Sequence, residues 1–168
     1  MNFTLREATL DDIRAIAHVH IEAWRTAFRH LVPTTTLDSL SCEAQVPLWT
    51  DLLSNPQTIA LLAEGDGEVV GFCTGRPSPD ADCAGMGEIH TLYVLPRVWR
   101  HGIGGSLIGA VEERLRARGF TALSLWVLED NAIARAFYEA RGYRPEGARK
   151  IITIGGEELL HCRYERRI

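Results

Sequence analysis

Residues 3–8 alternate well enough for a first strand, and Asp11 or Asp12 stands where a cap for the next helix is needed. From Ile13, the residues Ile16, Ala17, His20, Trp24, Ala27, Phe28 and Leu31 recur on one face at about 100° per residue, with Glu22, Arg25 and Arg29 opposite. That spacing predicts an amphipathic helix, which Pro33 breaks. Thr34 to Thr36 offer new caps, and residues 37–53 read as one or two short helices containing Trp49. Residues 58–64, a turn at Gly65-Asp66-Gly67 and residues 68–75 form an antiparallel hairpin. Residues 76–87 are rich in breakers and read as a flexible loop, either a lid or a long hairpin connection.

Residues 88–95 mix polar and apolar positions in a β-rich run that Pro96 ends. After a glycine-rich turn, Leu107, Val111 and Leu115 recur every four residues, joined by Ile103 and Ile108. Glu112, Glu113, Arg114, Arg116 and Arg118 take much of the remainder, so a second amphipathic helix is expected, stopped at Gly119. Residues 121–128 are almost continuously apolar, as in a strand buried on both faces, and strand, helix and strand in this order imply a crossover with adjacent parallel pairing. Asn131 caps a short helix that Gly142 stops. Ile133, Ala136, Phe137 and Ala140 form its expected core face, while Asn131, Ala134 and Tyr138 fall on another, so Tyr138 need not be buried with Phe137. Residues 143–154 and 159–164 are closing strands joined through Gly155-Gly156.

A length of 168 residues suits one domain, 1–168, and 46% hydrophobic residues is ordinary for a folded chain with a core. No apolar run approaches the ~20 residues of a membrane span, and the first residues lack the layout of a secretory signal. A cytoplasmic protein with no membrane partner is the expectation. The 4 cysteines, at positions 42, 73, 83 and 162, show no paired spacing, so neither a metal site nor a disulfide framework is suggested. A net charge of -4 speaks against nucleic acid as a partner and mildly for amines or other cations.

Chemistry concentrates at Arg100-His101-Gly102-Ile103-Gly104-Gly105-Ser106. A glycine-rich turn feeding a helix leaves free N–H groups at the positive end of the dipole, which suits phosphate oxygens. Gly102, Gly104 and Gly105 allow close approach to the backbone, and Arg100 with a protonated His101 adds charge. The turn taken alone is equally an ordinary strand-to-helix connection. It lacks the Gly-Lys-Ser/Thr ending of a P-loop, and Leu107 stands where a dinucleotide fingerprint needs its third glycine.

Leu92-Tyr93-Val94-Leu95-Pro96, then Gly102-Ile103-Gly104-Gly105 and an amphipathic helix, resembles the acetyl-CoA site of the GNAT superfamily of N-acetyltransferases, whose loop reads Arg/Gln-x-x-Gly-x-Gly/Ala. Residues 102 and 104 match; Trp99 replaces the usual Arg or Gln, and Arg100 follows one place later. Asn131-x-x-Ala134-x-x-Phe137-Tyr138-x-x-x-Gly142-Tyr143 is similar to the same family's later element. The resemblance covers residues 86–145 closely and implies a mixed α/β fold, a central mixed sheet flanked by helices.

It also implies chemistry. Acetyl-CoA would be the co-substrate, its pyrophosphate on the main chain at 100–106, its pantetheine arm along Leu92, Tyr93 and Val94 with Asn131 and Ala134 alongside. Tyr138 would protonate the departing sulfur; a phenol with a pKa near ~10 suits a thiolate. Glu88 and His90, two apart on one strand face unless a bulge separates them, are the candidate bases, with Glu88 first by family habit although burial would have to raise its pKa. His20, Trp24 and Trp49 are candidates for the acceptor amine, against the alternative of plain core packing. No cysteine has a nucleophile setting, so direct transfer in a ternary complex is expected. A non-catalytic acyl-CoA-binding module and a nucleotide-phosphate protein stay open as alternatives, as does a homodimer through the last strands.

Overall fold

The computed structural model describes residues 2–154 and 156–168. Seven strands form one mixed sheet in the order β1-β2-β3-β4-β5-β7-β6. They are β1 Thr4–Glu7, β2 Ile59–Gly65, β3 Glu68–Pro77, β4 Gly87–Val94, β5 Ala122–Leu128, β6 Arg144–Ile154 and β7 Glu157–Arg167. The helices are α1 Ile13–Ala27, α2 Thr34–Asp38, α3 Cys42–Ser54, α4 Ile103–Ala117 and α5 Ala132–Ala140. Of the expected Gly155-Gly156 link, Gly155 lies outside the described residues.

Helix α4 covers one sheet face with the stripe the sequence predicts: Leu107, Ile108, Val111 and Leu115 are completely buried. It lies very close to the strands. A Cβ at Gly75 would come within 2.6 Å of Val111, and one at Gly87 within 2.7 Å of Leu123, so the absence of side chains there sets the spacing. The opposite face meets α1 and α3, where Phe72 packs on Trp49 at 5.1 Å and on Tyr93 at 5.6 Å between ring centroids. Cross-strand register puts Phe72 beside Tyr93, Thr74 beside Thr91 and Arg76 beside Glu88, all on this second face.

Four expectations need correcting. Asp12 does not cap α1: it closes the preceding turn by accepting from Thr9 N at 2.8 Å and pairs with Arg6, which holds its carboxyl at about 2. Helix α1 ends at Ala27 instead of running on to Leu31, and Phe28 and Val32 fold over to join Leu37, Leu128 and Leu159 in a second apolar cluster. In α5 the inner face is Ala134, Phe137 and Tyr138, whereas Ile133 is 74% exposed. Glu112, expected on the polar side of α4, is buried; it accepts from Tyr143 Oη at 2.8 Å and from Arg166 Nη1 at 3.0 Å, and so ties α4 to the link between α5 and β6 and to β7.

The loop between β3 and β4 is the hairpin connection, and it is anchored. Arg163, 5% exposed on β7, donates to both oxygens of Asp82 at 2.8 and 2.7 Å and to Glu146 at 2.8 Å. Asp80 accepts from the Trp126 indole at 2.8 Å. Asp80, Asp82 and Cys83 do converge, but the guanidinium of Arg163 already holds the carboxylates.

Candidate functional site

Strands β4 and β5 pair at Gly87↔Leu123 and Glu88↔Ser124 only, although β4 runs on to Val94 and β5 to Leu128. Past Glu88 the two strands part. The β5-facing backbone of residues 90–94 therefore has no ladder partner, and a slot opens in the middle of the sheet. A continuous apolar strand such as β5 gives no hint of this divergence, and adjacent parallel pairing, though correct, is confined to the apex.

At the mouth of the slot the chain turns into α4. Arg100, with φ 67°, and Gly102, with φ 82°, both take left-handed backbone, a conformation glycine tolerates and arginine rarely adopts. Trp99 Nε1 donates to Val94 O at 2.7 Å, and His101 Nδ1 lies 3.2 and 3.0 Å from the carbonyl oxygens of Val98 and Trp99, so that nitrogen carries a proton. The first amide in the ladder of α4 is Ser106 N, which donates to Gly102 O at 3.0 Å. Among the described residues, the N–H groups of residues 100–105 meet no protein acceptor. Ile103 is buried and can offer only its amide. A Cβ at Gly104 would stay 3.7 Å from its nearest neighbour, so this position is open to a ligand; one at Gly105 would meet Arg141 Nη1 at 3.0 Å.

Helix α5 closes over the same mouth. Asn131 Oδ1 accepts from Ala134 N at 3.1 Å, the expected cap, which leaves the Asn131 amide nitrogen as the group it can offer elsewhere. Tyr138 packs against Phe137 and Tyr143 at 5.4 and 5.9 Å. Burial raises its phenol well above the ordinary value, and Cys73 and Tyr93 push the same way. Arg141, which no periodicity singled out, donates from Nη2 to Gly105 O at 2.9 Å and lies 5.5 Å above the Phe137 ring. It fixes the helix that carries Tyr138 to the first turn of α4. A cavity of about 410 Å³ runs along that turn past Gly105, Ser106 and Gly109 to Glu112.

At the apex, Glu88 is 4% exposed and accepts from Arg76 Nε at 2.8 Å. The register slips there: Thr74 faces Thr91 but Gly75 faces Ile89, so His90 is bulged out. The bulge does not part the pair, since His90 Nδ1 stays 3.5 Å from Glu88 Oε2. Burial alone would raise the Glu88 carboxyl, yet the contacts with His90 and Arg76 outweigh it and hold the group below its ordinary range. Across the apex, Ser124 Oγ is buried with no partner among the described residues.

The three acceptor candidates cluster beside Tyr93. The His20 ring lies 5.3 Å from Trp24, 5.3 Å from Trp49 and 4.9 Å from Tyr93. Burial lowers its pKa to about 4, so the imidazole is neutral. Trp49 is a core residue at 2% exposure, and Trp24 Nε1 donates to Tyr93 Oη at 2.8 Å, which commits the Tyr93 side chain to α1 and leaves its main chain for the slot.

Comparison with known proteins agrees with this geometry. The family model described as "Acetyltransferase (GNAT) family" matches residues 19–143. The uncharacterized N-acetyltransferase YuaI of Bacillus subtilis is 32% identical over 143 residues, covering 85% of this chain and 80% of that protein. Among solved structures, PaiA N-acetyltransferase from Thermoplasma acidophilum in complex with coenzyme A superposes with a TM-score of 0.78 at 20% identity over 100% of both chains. A GCN5-related N-acetyltransferase from Rhodopseudomonas palustris gives 0.80 at 24% identity, over 100% of this chain and 97% of that one. Among the described residues no helix is long and apolar enough to cross a membrane.

Proposed function

The chain belongs to the Acetyltransferase (GNAT) family of acetyl-CoA-dependent enzymes, and from that premise we propose that it acetylates a primary amine of a small molecule, peptide or protein by direct attack in a ternary complex. The observation that carries the reading is the parting of β4 and β5 directly beside six unclaimed N–H groups at the start of α4.

These residues fit the co-substrate. The amides of Arg100, His101, Gly102, Ile103, Gly104 and Gly105, with that of Ser106 at their edge, present the positive end of a 15-residue helix to a pyrophosphate. The free backbone of Leu92, Tyr93 and Val94 offers strand-type hydrogen bonds to an amide-containing arm, with the Asn131 amide and the small side chain of Ala134 facing it across the slot. When bound, acetyl-CoA supplies an acetyl group activated as a thioester.

The chain's own groups divide the remaining work. Glu88, ionised and fixed by Arg76, is the weaker proton acceptor of the pair, so the base is His90, with Glu88 setting its tautomer through Nδ1 and leaving Nε2 for the ammonium or an intervening water. Tyr138 keeps its proton at all physiological pH values and holds it at Oη for the leaving sulfur. Backbone N–H groups of β4 stabilise the developing oxyanion. The test is an amine panel with purified protein and acetyl-CoA, read as thiol release. Turnover with at least one amine is expected; CoA binding without release from any would turn the reading into that of an acyl-CoA sensor.

A further inference from the structure

Lys150 is the one lysine among 18 Lys and Arg residues, and its position is unusual. It sits on β6 opposite His161 of β7, yet its ammonium lies 4.1 Å above the Trp126 ring of β5. The strand order β4-β5-β7-β6 means that the side chain crosses β7 to reach β5, the strand that forms one wall of the slot. Trp126 follows Ser124 by two residues, so by strand alternation it shares the face of Ser124 and of Glu88, the face away from α4. The groups around the ammonium are the indole, His161, and Arg163, whose guanidinium lies 5.4 Å from the same ring and is already held by Asp82 and Glu146. Asp80 is taken by the Trp126 N–H and Arg163. Among the described residues no carboxylate pairs with Lys150, so its nitrogen is a primary amine without an ion-pair partner, on the sheet face that carries Glu88 and Ser124.

We propose that the enzyme acetylates its own Lys150. This rests on the acetyltransfer reading above and adds a substrate in the same molecule. The step is balanced with acetyl-CoA alone: the Lys150 ammonium loses a proton toward His90 or water, its nitrogen bonds to the acetyl carbonyl carbon, the carbon–sulfur bond breaks, and the thiolate takes the proton of Tyr138. The second proton of that nitrogen restores the Tyr138 phenol and the first passes to solvent, so the products are an N-acetyl-lysine, free CoA thiol and one proton. The Lys150 charge is erased, and with it the nearer of the two cation–π contacts on Trp126, that of Arg163 remaining.

The experiment follows the intact mass and peptide map of the protein incubated with acetyl-CoA, beside the amine panel. One acetyl group on Lys150 is expected, at a first-order rate independent of protein concentration, roughly tenfold or more slower in Tyr138→Phe and absent in Lys150→Arg. A second readout needs no turnover: CoA should slow labelling of Lys150 by an amine-reactive ester relative to the chain's α-amino group. Acetylation of panel amines with Lys150 untouched overturns the inference and leaves the enzyme. Equal acetylation of Lys150 and the α-amino group, unaffected by Tyr138→Phe, marks uncatalysed chemistry and also overturns it. Transfer to no amine at all removes the enzymatic reading itself, while unchanged labelling in the presence of CoA removes Lys150 from the slot.

Discussion

Arg141 donates from Nη2 to the carbonyl oxygen of Gly105 at 2.9 Å, and through this bond the helix carrying Tyr138 is registered against the turn whose amides meet no protein acceptor. The bond joins residues 36 apart in sequence. Arg141→Met keeps an apolar stem and removes both the donor and the cation above Phe137. The expected result is a KM for acetyl-CoA raised about tenfold with a smaller fall in kcat, and a loss of about 1–2 kcal/mol in stability. Steady-state kinetics with calorimetric CoA binding separates this from a purely structural defect, which would lower stability and leave KM unchanged.

The Tyr138 hydroxyl has no hydrogen-bond partner among the described residues, and burial keeps the phenol protonated far above neutrality. Tyr138→Phe therefore costs little stability but removes the proton held for the leaving sulfur, and kcat should drop about 10²–10⁴-fold with CoA affinity retained. Because the phenol is raised, the wild-type rate should show no fall from Tyr138 ionisation up to pH ~10. A basic limb below that, present in wild type and missing in the Phe variant, would show that the phenol titrates normally.

Glu88 and His90 predict different losses. With the carboxyl of Glu88 held low, its pairing stabilises the fold above the ordinary carboxylate range, and that contribution is lost as pH falls through the lowered value. Glu88→Gln should reduce stability at pH 7 by about 1–3 kcal/mol and slow turnover modestly. His90→Asn should lower kcat/KM about 10²-fold or more with CoA affinity retained. If instead His90→Asn keeps near-wild-type turnover and Glu88→Gln loses it, the base is the carboxylate.

Much of this arrangement is legible in the chain because local and global signals agree. The stripe Leu107, Val111 and Leu115 gives α4, the Asn131 cap gives α5, and the two glycine-bearing motifs place the cofactor turn; each depends on neighbours a few residues away. What the chain hides depends on pairs distant in sequence. The slot arises because β5 follows β7 instead of β4 beyond Ser124, and nothing in an apolar run distinguishes its two edges. The low Glu88 carboxyl comes from His90 and from Arg76, 12 residues away, and the anchored loop from Arg163, 81 residues from Asp82. The inner face of α5 departs from its hydropathy pattern: Ile133 outweighs Ala134 in apolarity, yet the helix packs Ala134, Phe137 and Tyr138 against the core and leaves Ile133 exposed.

Arg163 makes a separate prediction. Its side chain is nearly buried and holds Asp80, Asp82 and Glu146, so the loop joining β3 to β4 stays down on Trp126. Arg163→Ala leaves Asp80 and Glu146 facing each other without a cation, and the expected effect is about 3 kcal/mol lost by chemical denaturation. Protease nicking should then concentrate at residues 78–86, and a wild-type digestion pattern in the variant would show that the loop is held by something else.

His20 sets the acid limit of stability. It lies among Trp24, Trp49 and Tyr93, and burial holds its pKa near 4 against about 6.5 in an unfolded chain. Between those values the unfolded state binds the proton and the folded state does not, so stability falls as pH is lowered from 6.5 toward 4. The full effect is on the order of 3 kcal/mol. His20→Phe keeps an aromatic ring in the cage and removes the titration. Urea unfolding at pH 7 and pH 5 should show a marked loss for the wild type and a much smaller one for the variant; parallel losses would mean that His20 is protonated inside the cage and that its neutral form plays no part in holding α1 against β4.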